Sequence, residues 1–249
     1  MILRDFHCHT TFCDGTNSPE EMVLAAIEKG MTELGLLCHS YTFFDGRYCA
    51  KKENVAKFIA EINRLKDKYS DKIKLYCGVE QDYYSDQPTD GFDYVLGSVH
   101  YILADGYYYS IDSKLEWFFD LMNEKFDGDY NKLAEQYYET VADVVEKTGA
   151  DIIGHFDLIT KFLEKEDFSR TTNPRYFEIA KKAVDKLIPY GKPFEINTGA
   201  IARGLRTTPY PTTQIIDYIK EKGGKLILSS DSHAKENLCY QFDEWKKLL

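Results

Sequence analysis

The chain has 249 residues, 43% of them hydrophobic and 14% aromatic, so it can bury a large core and general disorder is excluded. A formal net charge of −10 argues against a polyanion such as duplex DNA as the main partner, because binding to backbone phosphates needs clustered Lys and Arg. No apolar run approaches the roughly 18 residues of a membrane span, and Met1–Asp5 lacks the charged and apolar regions of a secretion signal, which predicts a cytoplasmic protein with no membrane partner.

The length fits one domain over residues 1–249. The six cysteines, Cys8, Cys13, Cys38, Cys49, Cys77 and Cys239, form no Cys-x-x-Cys pair and no framework spacing. They read as the reduced thiols of a cytosolic protein.

Short apolar runs with the length of buried strands fall near residues 2–7, 34–38, 73–79, 94–99, 151–154, 193–197 and 225–230. Helical patterns lie between them. Ser18-Pro19-Glu20-Glu21 is a capping box with Pro at the first helical position, and Gly30 closes that helix. Val55, Phe58, Ile59, Ile62 and Leu65 form an apolar stripe over Glu53–Lys68. Further helices are predicted over Leu115–Lys125, Tyr130–Thr148, Pro174–Tyr190 and Thr212–Lys222. The segments Tyr41–Lys52, Asp82–Phe92 and Tyr101–Asp112 break the alternation and are predicted as loops over a site, rich in aromatic side chains.

Strand and helix in alternation predict a parallel sheet covered by helices, either closed or open. The six histidines, His7, His9, His39, His100, His155 and His233, decide between the two, because each sits at or just past a strand end. With Glu80 and Asp231 in the same setting, ligand types arise from at least six strand ends, and only a ring brings so many to one mouth. The expectation is an α/β fold, a distorted TIM-like barrel of seven strands with a metal site at the C-terminal ends of the strands.

A single histidine at a strand end is most often structural, but no histidine here is left over for any other position. His7 and His9, two residues apart on a strand, project to one side and can chelate one cation, while Cys8 between them faces the other way. Imidazole with carboxylate is the ligand set of Zn, Mn or Fe. Nine candidate ligands, His7, His9, Asp14, His39, Glu80, His100, His155, Asp231 and His233, fit two or three divalent ions, with Glu80 suited to bridge two of them.

The segments His7-Cys8-His9-Thr10 with Cys13-Asp14-Gly15, Gly35-Leu36-Leu37-Cys38-His39-Ser40, Gly78-Val79-Glu80, Gly97-Ser98-Val99-His100, Gly154-His155-Phe156-Asp157, Glu195-Ile196-Asn197-Thr198 and Ser230-Asp231-Ser232-His233 resemble the polymerase-and-histidinol-phosphatase (PHP) family, end to end and in order. The chain looks most like its stand-alone histidinol-phosphatase branch. The resemblance implies a distorted seven-stranded barrel and a trinuclear centre. It places His7, His9, Glu80 and Asp231 on a first metal, Glu80, His100 and His155 on a second, and Asp14, His39 and His233 on a third. Asp14 stands where some relatives have His, and a harder carboxylate there favours Mn or Fe over Zn.

The same resemblance implies hydrolysis of L-histidinol phosphate, a step of histidine biosynthesis, by a metal-bridged hydroxide. Glu80, Asp231 and His233 are catalytic candidates among the ligands, and Asp157 is an acid or, preferably, an orienting group. Relatives of this type carry an Arg near Leu158–Phe162, where this chain has Thr160. Lys161, Arg203 and Arg206 are therefore the phosphate-binding candidates. Asp82, Asp105 and nearby tyrosines are candidates for the substrate's ammonium and imidazole.

Three other readings stay open. The same centre could act on a nucleotide, a diester or a phosphotyrosyl protein, or the chain could be a metal-binding module without turnover. An amidohydrolase also begins with a His-x-His strand, but usually places a carbamylated Lys where this chain has His100. The sequence leaves a homo-oligomer open.

Overall fold

The computed structural model describes residues 3–166 and 169–249, so Ile2, with which the first predicted strand begins, lies outside the described residues. In chain order the strands are β1 (Arg4–Cys8), β2 (Glu33–His39), β3 (Lys74–Asp82), β4 (Tyr94–Ser98), β5 (Tyr101–Ala104), β6 (Tyr107–Ser110), β7 (Ile152–Ile153), β8 (Phe194–Asn197) and β9 (Leu226–Ser229). Seven of them form one sheet in the order β1-β2-β3-β4-β7-β8-β9, and each neighbouring pair is parallel.

The sheet curls until its edges meet. Past the end of β9, the Ser232 N–H donates to His7 O at 3.0 Å and the His9 N–H donates to Ser232 O at 2.7 Å. The buried Asp5 carboxylate fastens the same seam from below, accepting from Ser230 N at 3.1 Å, Ser230 Oγ at 2.5 Å and Cys239 N at 3.1 Å. These contacts complete the expected distorted, TIM-like (β/α) barrel.

Between the strands lie α1 (Pro19–Glu28), α2 (Val55–Lys68), α3 (Leu115–Lys125), α4 (Tyr130–Val141), α5 (Val144–Thr148), α6 (Pro174–Leu187) and α7 (Thr213–Glu221), with shorter turns of helix elsewhere. The capping box at α1 forms as its residues require: the Glu21 N–H donates to Ser18 Oγ, and Glu21 Oε2 accepts from the Ser18 N–H at 2.8 Å. Asn173 caps α6 by accepting from Tyr176 N at 2.8 Å.

Two expectations need correction. The helix predicted over Tyr130–Thr148 is broken between Val141 and Val144, where the Thr140 hydroxyl bonds back to Gln136 O at 3.0 Å and Asp143 accepts from the Tyr83 hydroxyl at 2.9 Å. The segment Tyr101–Asp112 is not a plain loop. It is an antiparallel hairpin of β5 and β6, turned at Asp105-Gly106 with φ of 49° and 80° at the two central residues.

Alternation along the strands divides the barrel interior into two levels. The lower is apolar: Leu37, Tyr94, Leu96 and Ile152 pack with Phe6, Tyr76 and Ile227. Further along the same strands, two residues past Leu37 and Leu96 and four past Tyr76, the inward positions become His39, Ser98 and Glu80, all buried or nearly so. The apolar plug below excludes water from one side of this polar layer, which then opens only toward the C-terminal ends of the strands. Among the described residues, no helix is long and apolar enough to cross a membrane.

Candidate metal centre

Glu80 stands at the middle of the polar layer, 1% exposed. Its Oε2 lies 3.1 Å from His7 Nε2 and 3.3 Å from His9 Nε2, and those two nitrogens are 3.1 Å apart. Asp231 Oδ1 lies 3.6 Å from each of them. Donors about 2.0–2.2 Å from a tetrahedral cation are themselves roughly 3.3–3.6 Å apart, so this spacing suits a shared ion. Protons fit it poorly, because the Glu195 carboxylate on His7 Nδ1, at 2.6 Å, favours the tautomer whose Nε2 lone pair faces inward.

The second oxygen of Glu80 serves a second group. Oε1 lies 3.1 Å from His100 Nε2 and 2.9 Å from His155 Nε2, and it accepts from Ser98 Oγ at 2.8 Å. A third group gathers at the rim, where Asp14 Oδ2 is 3.2 Å from His233 Nε2 and 3.6 Å from His39 Nε2. His39 faces two ways, since its Nδ1 is 3.0 Å from Glu80 Oε2. His9 also reaches this third group, with Nδ1 3.7 Å from Asp14 Oδ1. All nine ligand candidates therefore converge on one place, as clusters of imidazole and carboxylate donors of the kind that hold metal ions.

Charge is strongly coupled here. Burial alone would raise Glu80, but the rings of His39, His7 and His100 hold its carboxyl well below the usual range. Burial would likewise raise Asp231, yet Arg203 and His7 hold it well below. Against the lowering effect of burial, Glu195 and Glu80 raise His7, and Glu80 together with Asp82 raises His100 to about 10.

Above the donors is an open cavity of about 290 Å³, with Asp14, His233, Arg203, Lys161, Asp112 and Leu158 among the groups around it. Arg203 donates to Asp231 Oδ2 at 3.0 Å and has Nη1 3.4 Å from His233 Nδ1. Lys161 also borders the cavity, donating to Asp112 O at 2.6 Å.

Two predicted site residues lie elsewhere. Arg206 does not border the cavity. It is 4% exposed, donates to Thr160 Oγ1 and to Thr208 O at 3.2 Å, and stacks 4.4 Å over Tyr210. Asp157 is fully buried and accepts from Thr212 N at 2.8 Å, so it ties down a loop rather than facing a substrate. Asp82 and Asp105 also stand away from the cavity: Asp82 accepts from both N and Nδ1 of His100 at 3.1 Å, and Asp105 pairs with Lys125 at the exposed hairpin turn.

Sequence reasoning missed three groups. Glu195 holds His7, accepts from His155 N at 2.8 Å and from Ser229 Oγ at 2.5 Å. Asn197 reaches both Glu195 Oε2 at 3.2 Å and Asp231 Oδ2 at 3.5 Å. Asp112 faces the cavity itself. The inward alternation of Glu195 and Asn197 on β8 was the available signal for the first two; nothing in the sequence marked Asp112.

A family model described as the PHP domain matches residues 5–199. A Schizosaccharomyces pombe protein named "Probable histidinol-phosphatase" is 29% identical over 78% of this chain, which spans 64% of that protein's length. A Deinococcus radiodurans protein of the same name is 27% identical over 96% of this chain and 90% of its own length. Among solved structures, a Listeria monocytogenes protein superimposes with a TM-score of 0.82 at 23% identity, covering 97% of this chain and 99% of that one. The histidinol phosphate phosphatase of Lactococcus lactis, solved with zinc, L-histidinol and phosphate, gives a TM-score of 0.74 at 23% identity over 99% of this chain and 92% of its own. The structural likenesses carry the fold, and the match to the family model over most of the sequence, with the ordered donor set, carries the ancestry: this chain belongs to the PHP family.

Proposed function

We propose that the protein is a metal-dependent phosphatase that hydrolyses L-histidinol phosphate to L-histidinol and phosphate, with two to three divalent ions, Zn, Mn or Fe, as its cofactors. The observation that carries this reading is the convergence of the nine imidazole and carboxylate candidates on one place, five of them, His7, His9, His39, His100 and His155, around the two oxygens of Glu80, beneath a cavity flanked by Arg203 and Lys161. The names of the curated relatives, and the histidinol and phosphate bound to the Lactococcus lactis enzyme, support the choice of substrate.

In this reading His7, His9, Glu80 and Asp231 hold the first ion, Glu80, His100 and His155 the second, and Asp14, His39 and His233 the third. Divalent ions so held supply Lewis acidity toward phosphoryl oxygens and bring the pKa of a water from 15.7 toward about 7. The chain's own groups do the rest. Glu195 and Asp82 fix the tautomers and tilts of His7 and His100. Arg203 and Lys161, with planar fork and point charge respectively, receive the phosphoryl oxygens as charge develops on them. The apolar layer beneath keeps water from approaching except through the mouth. All six cysteines are free, in keeping with a protein that works in the reducing cytoplasm.

Phosphate release is measured from L-histidinol phosphate beside a nucleotide monophosphate, a phosphotyrosyl peptide and a phosphodiester, with Mn- or Zn-loaded protein and a chelated control. Chelator-sensitive preference for L-histidinol phosphate is expected. Activity confined to another ester would keep the centre and change the substrate, and absence of turnover with metal bound would favour a binding module.

A further inference from the structure

Asp112 is out of place beside a phosphate site. It follows the β5–β6 hairpin and is pinned beside His100, because the Ile111 N–H donates to His100 O at 3.0 Å. Its side chain borders the same cavity as His100, His155, Lys161 and Arg203. The other carboxylates there, Asp14, Glu80 and Asp231, each have an oxygen 2.9–3.6 Å from an imidazole nitrogen. Asp112 pairs with Lys161 and, among the described residues, with no imidazole. Among the described residues, its carboxylate oxygens have only long contacts: Ser110 Oγ at 3.2 Å and Lys161 Nζ at 3.4 Å. Lys161 makes its short bond, 2.6 Å, to the main-chain oxygen of Asp112 instead.

A carboxylate in that position repels a phosphate dianion, and the neighbouring lysine only partly offsets it. The arrangement becomes favourable when the ligand brings its own positive charge next to its negative one. In L-histidinol phosphate the ammonium is on the carbon adjoining the ester-bearing carbon, so seating the phosphate against Arg203 and Lys161 leaves the ammonium close by.

We propose that Asp112 is the specificity-determining residue that receives this ammonium, selecting phosphate monoesters with a cationic nitrogen on the carbon next to the ester-bearing carbon. The inference rests on the phosphatase reading above. It replaces Asp82 and Asp105, both engaged elsewhere, as the acidic group facing the substrate's amine. A charge-assisted hydrogen bond of this kind corresponds to about 10- to 100-fold in affinity.

The test compares L-histidinol phosphate with its des-amino analogue in wild type, D112N and D112E. The ratio of kcat/KM between the two esters should fall from about 10- to 100-fold toward unity in D112N, through KM rather than kcat, and recover in part in D112E. An unchanged ratio, or equal loss on both esters as expected if Asp112 merely places Lys161, would overturn the proposal. So would a fall in kcat limited to alkyl esters with p-nitrophenyl phosphate spared, the mark of a proton donor. Binding of L-histidinol against its des-amino alcohol to the zinc-loaded protein, read by calorimetry, gives the same comparison without turnover. If wild type hydrolyses no histidinol phosphate, the substrate reading fails by itself, and aminoethyl against ethyl phosphate then decides Asp112: a preference lost in D112N sustains it, and no preference in wild type ends it.

Discussion

His7 Nδ1 and Glu195 Oε1 are 2.6 Å apart, both completely buried, with His7 Nε2 turned toward Glu80 and His9. One carboxylate oxygen thus sets the tautomer and the tilt of a ring whose other nitrogen faces the cluster. Glu195→Gln keeps the volume but removes the charge. Metal affinity should fall about 10- to 100-fold, as is usual for groups that orient a ligand. Competition with a chromophoric chelator measures it, and affinity equal to wild type would show that Glu195 only packs.

Glu80 presents one oxygen to His7 and His9 and the other to His100 and His155. Glu80→Gln should therefore abolish turnover and lower the bound metal count, while circular dichroism shows the barrel intact. Chelation of the wild type should give the same loss, reversed by adding Zn or Mn. Full activity in the variant would overturn the proposed assignment of Glu80 to two ions.

Arg203 and Arg206 separate function from stability. Arg203 faces the cavity, so Arg203→Ala should lower kcat/KM by about 10²–10³, the cost of losing a donor aimed at developing charge. Arg206 is buried against Thr160, Thr208 and Tyr210. Arg206→Met should destabilise by about 2–3 kcal/mol in urea unfolding through lost charge-assisted bonds, with KM close to wild type in the folded fraction. The reverse pattern would exchange their roles.

How much of this was legible depended on whether a pattern was local. Strand ends were readable because six of the seven apolar runs terminate at a histidine or acid, and the convergence of those six ends implied closure. The Asp105-Gly106 turn was also present as a hairpin signal, but the run of tyrosines around it read as lid rather than strand. Arg203 and Arg206 could not be told apart, because a loop has no period to say which side chain turns inward. Asp112 gave no signal at all: its meaning comes from Lys161 and His155, which reach it only through the fold. Thr160, in the place of an expected Arg, is explained by the same argument, since Arg206 comes from a distant loop to donate to its hydroxyl.

Glu20 on α1 joins that helix to α2: its carboxylate takes Lys68 Nζ at 2.5 Å, the Tyr69 hydroxyl at 2.7 Å and Arg64 Nη2 at 3.2 Å. Lys68, then Tyr69 and Arg64, lower its pKa from 4.5 to about 2. A depressed carboxyl contributes stability that is fully present above pH 4.5 and lost as pH falls toward about 2. The urea midpoint of Glu20→Gln should therefore lie below that of wild type at pH 6, with the gap closing between pH 4.5 and 2. A gap independent of pH would mean that these contacts do not depend on the charge.

Tyr94 crosses the floor of the barrel and donates to Phe6 O at 2.6 Å, which fixes its ring over β2 and β3. Gly35 and Gly78 let it pass: a Cβ at Gly35 would collide with its Oη, and one at Gly78 would lie 2.6 Å from both Cε1 and Oη of Tyr94. The ring cannot yield without breaking its hydrogen bond and disturbing Leu37 and Leu96, which lie directly beneath the polar layer. Gly78→Ala should destabilise by about 1–3 kcal/mol, the range for overpacked cores. If the clash with the ring is the cause, the same change made in a Tyr94→Leu background should cost less than in wild type, and thermal unfolding of the four proteins of that cycle measures the difference. Equal cost in both backgrounds would place the strain in the strand itself rather than in the tyrosine that spans it.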